Sequence, residues 1–367
     1  MQNFQTLITM KKLICLLILM SLIFVSCIFA GIDPDKKVQA AYWLRMNGKA
    51  DAAKGLLDSI LSEDSTLAMA YYEKARLNHY ILLGRGEVTI SDILVPAGKA
   101  VQYDPSNVTY AYYKALVTFF NAYFAMQTGQ GDPKTYVDEA IKEFEKVLAM
   151  KPDYHEAALY LVEFYGLLPA DMGGDSAKAV GYAEKLATMD GYYGAKAKAV
   201  LATQGTDLVK FWEDLMVLNG KKPDYLMEAG KACLFAANPE KAEQYFNQAI
   251  QADPSKNILI LDLARYHIFK VMQNDSLAGS ELPLAKTYFE KYLNTKPEPV
   301  VPLKAYATGW LGQTEMFLGN QTEAEKRIEE AKAMDPYFSR ASGIPTLLLF
   351  DPPDQISHHY FSFFSWF

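Results

Sequence analysis

The sequence predicts an all-α solenoid of about eight stacked helix pairs over residues 31–338. Three observations predict it. A four-point spacing recurs down the chain: a small residue, a larger apolar residue four later, a third three later, and a Pro or Gly five after that. One 34-residue unit, 223–256, shows the full helix–turn–helix pattern, with Leu226, Ala229, Gly230 and Cys233 on one face of its first helix. With 50% of residues hydrophobic and 22% charged, the chain also has the makings of an ordinary globular core.

In chain order the spacing reads Ala53, Leu57, Ile60, Ser65; Ile93, Ala97, Ala100, Pro105; Ala140, Phe144, Val147, Pro152; and Ala179, Ala183, Leu186, Gly191. It continues as Leu208, Trp212, Leu215, Gly220, the poorest copy, and then Ala242, Phe246, Ala249, Pro254. The last two copies are Ala285, Phe289, Tyr292, Pro297 and Ala324, Ile328, Ala331, Pro336. Positions i, i+4 and i+7 form one stripe on a helix. The small first residue lets a partner helix approach, and the larger second one fills the groove beside it. The Pro or Gly ends the helix and aims the next. No single pair buries both its faces, so the pairs must stack.

This pattern resembles the tetratricopeptide repeat, and Leu311-Gly312 matches the Leu-Gly of that family's first helix. The resemblance implies a right-handed superhelix with a concave inner face. About eight units is near one superhelical turn in such families, so the arc is expected to close toward a ring-like cup. Departures from the pattern are Lys74 at an apolar position, a short unit over 194–222, and lengthened turns around 84–92, 127–137, 171–176 and 272–283. The first-helix positions that line the concave side in this family carry over here to Tyr42, Arg45, Tyr72, Arg76, His79, Tyr112, Phe119, Glu163, Lys231, Arg265 and Phe269. That is an aromatic and basic lining in a chain of formal charge −7. The expected role is a non-enzymatic scaffold that holds a peptide or protein partner on that face; the bland alternative for each residue is interhelix packing.

The N-terminus reads as an export signal. Lys11 and Lys12 precede an apolar run from Leu13 to Ala30. Three fates are open: cleavage after Ala30, lipidation of Cys27 in the box Phe24-Val25-Ser26-Cys27, or retention as an anchor just long enough to span a bilayer. The expected address is the periplasm or a lipid-anchored position at the outer membrane. If residues 1–30 are removed, only Cys233 of the three cysteines remains, so no internal disulfide is expected and packing must supply the stability.

Other chemistry is not expected. No block of basic charge offers an electrostatic footprint for nucleic acid. His79, His155 and His267 fall in separate units without metal-ligand spacing, and the adjacent His358-His359 pair chelates poorly, so no metal or cofactor is expected. No nucleophile elbow or dinucleotide loop is present. Gly173-Gly174-Asp175 precedes a helix, as a phosphate loop does, but the repeat register puts it in a hairpin turn. There Asp175 caps the following helix and Gly174 takes a positive φ. The stretch Pro169–Asp175 also resembles a Pro-x-x-x-Gly-Gly-acid turn of the T-component lipoproteins of tripartite ATP-independent periplasmic transporters. That resemblance implies a small anionic solute near the basic lining as the alternative cargo.

Residues 339–367 depart from the repeat. Leu347–Phe350 and Tyr360–Phe367 are too apolar to leave in water. The first expectation is a cap over the last helix pair. The others are a segment folded into the superhelical groove, or a peptide that binds a partner.

Overall fold

The computed structural model describes residues 34–340 apart from 85 and 130. The segment read as an export signal, with Cys27, and the aromatic tail from 341 onward lie outside the described residues.

The described residues form sixteen α-helices and no strand. They pair as α1 (Pro34–Met46) with α2 (Ala50–Glu63), α3 (Ala68–Leu83) with α4 (Ile90–Tyr103), and α5 (Val108–Thr128) with α6 (Pro133–Met150). Next come α7 (His155–Leu167) with α8 (Ser176–Met189), α9 (Gly191–Val200) with α10 (Leu208–Asn219), and α11 (Pro223–Phe235) with α12 (Pro239–Ala252). The series ends with α13 (Leu259–Gln273) and α14 (Ala278–Leu293), then α15 (Val301–Phe317) and α16 (Gln321–Met334). This is the predicted all-α solenoid of eight pairs.

The second helix of each pair is amphipathic, and its repeat stripe is what it buries. Ala140, Phe144 and Val147 on α6, and Ala242, Phe246 and Ala249 on α12, are wholly inaccessible. Side-chain caps begin many of these helices. Thr89 and Asp92 form a capping box on α4, and Asp132, Asp207 and Asn238 accept first-turn amides of α6, α10 and α12. The poorest repeat is the exception. On α10, Leu208 and Leu215 are only half-buried, and Met216 joins Trp212 in the core instead. The helix before it, α9, has ten residues, and Gly194 lets it lie against α8: a Cβ there would sit 2.5 Å from the Ala187 Cα. Lys74, a polar intruder at an apolar repeat position, reaches out to Asp58 at 2.7 Å.

Consecutive first helices touch each other, as at α1–α3, α7–α9 and α11–α13. Second helices reach the next unit through its first helix, as α2 does at α3 and α14 at α15. In a curved stack the row whose members meet directly lies at the shorter radius, so the first helices form the inner row.

The curve closes on itself. One hydrophobic cluster contains both Val38–Ile81 from α1–α3 and Ile258–Phe338 from the last two pairs and the turn after them. After α16 the chain makes a short 3-10 turn, Phe338–Arg340, against α15 and α16. Phe338 is fully buried and stacks on Tyr80 of α3, with ring centroids 4.8 Å apart. The Tyr80 hydroxyl donates to Asp335, and the Tyr337 hydroxyl donates to Asp51 of α2 at 2.8 Å. Asp335 also accepts the amides of Tyr337 and Phe338, both at 2.9 Å. Burial pushes its carboxyl up to about 6 against the pull of those amides. Gly84 is needed at this seam, because a Cβ there would meet the Tyr337 Cβ at 2.5 Å. The apolar end of the last pair is thus covered by the first pair and by Asp335–Phe338.

Candidate functional site

The inner row carries charge where a solenoid needs only packing. Arg45 on α1 grips Glu73 on α3 through two bonds, Nε to Oε1 at 2.7 Å and NH2 to Oε2 at 3.3 Å. Arg76, one turn beyond Glu73, lies 3.9 Å from the same carboxylate. All three are buried. The Arg45 guanidinium stands 5.3 Å over the Tyr42 ring, and that of Arg76 stands 5.3 Å over the Tyr72 ring. Burial opposes the charge of Arg76, yet Tyr72, Glu73, Tyr113 and Tyr42 hold its pKa above the ordinary value. His79 lies deeper on the same helix beside Phe120 and within 3.4 Å of the Tyr113 hydroxyl. Burial lowers its pKa to about 3, so it is neutral.

A second charged group spans α7 to α13. Lys196 on α9 and Lys231 on α11 flank Glu228 at 3.7 and 3.8 Å, and Tyr192 donates to the same carboxylate at 2.8 Å. Burial raises Glu228, but the two lysines and Tyr192 outweigh it and leave it below the usual carboxylate range. Burial lowers Lys196, with Glu228 pulling the other way. On α13, Asp262 pairs with Arg265 at 3.8 Å, and burial raises Asp262. Glu163 on α7 is 2% exposed, and its Oε2 has no hydrogen-bond partner. Burial pushes it up to about 8, with the Lys196 charge pulling the other way. It is largely protonated at neutral pH.

The positions carried over from the repeat therefore divide. Tyr42, Arg45, Tyr72, Arg76 and His79 come together between α1 and α3, and Glu163, Lys231 and Arg265 belong to the α7–α13 group. Phe269 lies one turn beyond Arg265, half-exposed. Tyr112 and Phe119 sit in the packing between α5, α6 and α7. Tyr112 meets Tyr154 at 4.6 Å and Phe144 at 6.2 Å, and Phe119 meets Tyr160 and Phe164.

The acidic half of the site was missed: Glu73, Glu228 and Asp262, with Lys196. A signal for it exists. Arg76, Lys231 and Arg265 each lie eleven residues after a helix-ending Ser65, Gly220 or Pro254, and each has an acid three residues before it. Glu163 lies eleven residues after Pro152, at the position where the others carry a base. That substitution is why it has no ion pair.

The Gly-Gly-Asp turn is structural, with one correction. Asp175 caps α8, accepting the amides of Ala177 and Lys178 at 3.1 Å each. The positive φ belongs to Gly173, at 100°, and not to Gly174. Gly174 is needed for space, since a Cβ there would run into the Leu168 carbonyl. Among the described residues no group of three His, Cys, Asp or Glu side chains is placed to hold a metal ion, and no helix is long and apolar enough to cross a membrane.

The tetratricopeptide repeat family profile matches residues 223–256, which are α11 and α12. No curated protein matches the chain. Similar solved structures include a monomeric IFIT1 variant with m7Gppp-AAAA (17% identity, TM-score 0.39), of which the chain spans 54% while 82% of the chain is covered. A thermophilic repeat protein of Thermus thermophilus, TTC0263, is 15% identical over 64% of this chain and 100% of its own, with TM-score 0.38. A tetratricopeptide repeat protein of Parabacteroides merdae is 14% identical over 82% of this chain and 93% of its own, with TM-score 0.33. With the profile matched at 223–256 and the same stripe buried in most of the other helix pairs, the chain carries tetratricopeptide repeats.

Proposed function

We propose that this protein is a non-enzymatic, exported scaffold that holds a peptide or protein partner against its inner row of helices. The observation that carries the reading is the charged inner row itself. Buried ion pairs stabilise a fold no better than apolar packing of the same size, and often less well. Their recurrence on α3, α11 and α13 is therefore better explained by recognition than by stability. Lys231, Arg265 and Phe269, the partly exposed members of this row, suit carboxylate and apolar groups of a bound chain, while buried Arg45 and Arg76 hold Glu73. Export rests on the basic start and apolar run of residues 11–30, with Cys27 as the candidate lipid attachment point.

A photoreactive residue in place of the half-exposed Phe269 tests the reading in the native cell. Irradiation is expected to attach a protein partner there, and not to a control probe at exposed Lys185 on the outer helix α8. Equal labelling at both positions, or a bound small acid with no protein adduct, contradicts the scaffold. Mass spectrometry of the N-terminus with cell fractionation tests the address: a lipidated Cys27, a free Gly31 or an uncleaved chain in the membrane fraction supports export, and an uncleaved chain in the soluble cytoplasm contradicts it.

A further inference from the structure

One edge of the stack, where each first helix ends and its partner begins, carries a row of apolar side chains in one repeat register. Phe235 and Phe317 each stand seven residues before the small residue of the next stripe, Ala242 and Ala324, as Met46 stands before Ala53. Phe269 stands fifteen residues after Pro254, as Phe235 does after Gly220 and Tyr80 after Ser65. In the first two pairs this position is covered: Tyr80 lies under Phe338, and Met46 is buried in the cluster that joins the two ends of the chain. In the last three pairs it is open. Phe235 is 70%, Phe269 46% and Phe317 73% exposed, and beside them Met272 is 73% and Met316 44% exposed. The segments around them, 232–238, 271–279 and 316–322, hold a single charged residue, Asp275. The core of a protein–protein interface has this composition, rich in Phe and Met and poor in charge.

We propose that this edge is where two copies of the chain meet, about a two-fold axis near Phe269. Area permits it. With ~200 Å² for a whole side chain, the five residues expose about 600 Å² of apolar surface on each copy. The uncharged segments between them bring this close to the ~800 Å² that each partner gives to a standard interface. The repeat supplies the symmetry. First helices of successive pairs stand about 10 Å apart, so Phe235, Phe269 and Phe317 form an evenly spaced row of one residue type. Such a row meets its own image under a two-fold axis through its middle member, with Phe235 against the partner's Phe317. Charge selects a protein rather than a lipid surface: no Lys or Arg lies in these segments to meet anionic headgroups, and the described chain enters at Pro34 on the opposite edge. Charge also selects the place, since copies of a chain of formal charge −7 repel each other elsewhere. The seam is the precedent within the molecule, for there an aromatic ring of this same chain, Phe338, covers this position. The inference goes beyond the scaffold reading and does not depend on it.

The test is sedimentation of the full chain at ~10 µM, where a dimer is expected. Phe235→Glu with Phe317→Glu puts charge into the contact and leaves the core alone. It is expected to weaken dimerisation at least a hundredfold with helicity unchanged. Val217→Glu with Leu218→Glu is the control: these residues are 85% and 78% exposed at the end of α10, on the opposite edge, and their replacement is expected to leave the dimer intact. A monomeric parent chain, a dimer that survives Phe235→Glu with Phe317→Glu, or one lost equally in the control overturns the proposal. A photoreactive residue in place of Phe235 locates the contact. It is expected to attach to residues 313–322 of a second, isotopically labelled copy; attachment to the same molecule, to phospholipid or to another region of the second copy overturns the proposal. The two readings fail separately. Dimerisation is read on purified protein alone, and the scaffold on capture of a different protein at Phe269 in the cell, which the Phe235→Glu, Phe317→Glu variant still reports.

Discussion

Replacing Glu163 with Gln is expected to make the protein more stable at neutral pH, although it removes a buried charged-type residue from the candidate site. Burial raises this carboxyl from 4.5 to about 8. In the unfolded chain it is ionised at pH 7, so folding must take up a proton. Each pH unit between the two values is worth about 1.4 kcal/mol, which gives roughly 3 kcal/mol at pH 7. The sign follows from the direction of the shift. The protonated form supports the fold fully below pH 4.5, and that support drains away as pH rises through 8. Gln has the same shape and is neutral, so it escapes the penalty, and reorganising its amide leaves a net gain of about 2 kcal/mol. The assay is urea unfolding of both proteins at pH 4.5, 7 and 8.5, comparing midpoints at a fixed slope. At pH 4.5 the variant should be less stable by about 1 kcal/mol, the cost of its amide, and it should gain on the parent progressively above that pH to become the more stable by pH 7. A variant that is less stable at pH 7, or a difference that does not change with pH, refutes the reading of Glu163 as a protonated, unpartnered group.

Other expectations follow from the seam and the turns. Phe338→Ala should cost about 3–5 kcal/mol, and hydrogen exchange should show α1–α2 and α15–α16 losing protection together; loss confined to α16 contradicts closure. Asp335 is raised to about 6, so its contribution is complete below the free-carboxyl value of 3.8 and is lost as pH rises through 6. Asp335→Asn should therefore flatten the stability profile between pH 4 and 6, measured by thermal melting, and an unchanged profile contradicts the assignment. Gly174→Ala should lower the melting temperature because it meets the Leu168 carbonyl, whereas Gly181→Ala, mid-helix with open space, should raise stability by about 0.5–1 kcal/mol.

Much of the architecture was legible because it is local. The small–large–small stripe of the second helices depends on 3.6-residue periodicity and on Pro or Gly stops, and Ala140, Phe144 and Val147 are buried as the spacing requires. Closure into a ring was legible only as an expectation from unit number. Its means, Phe338 on Tyr80 and Tyr337 on Asp51, joins residues more than 250 apart, and no periodicity encodes such a pairing. The site was half legible. The basic and aromatic members follow from repeat register, but their acidic partners Glu73, Glu228 and Asp262 lie three residues before Arg76, Lys231 and Arg265, outside the positions that register carries over. Tyr112 shows the limit of register alone: it is one residue from Tyr113, which faces His79, while Tyr112 itself packs on Tyr154. The assignment of φ to Gly174 failed because a short 3-10 turn at Ala170–Met172 moves the left-handed position one residue earlier.

The central structural claim is that the chain closes on itself, so that its first helices share one interior. Asp51 and Tyr337 touch across the seam, and Asp51→Cys with Tyr337→Cys places two thiols there in a protein whose Cys233 is buried. A short bis-maleimide, reacted with dilute protein, measures the closure directly. A closed ring gives a rapid, nearly complete intramolecular cross-link on monomeric protein with unchanged helicity. An open crescent gives no cross-link, or only dimers whose yield rises with protein concentration.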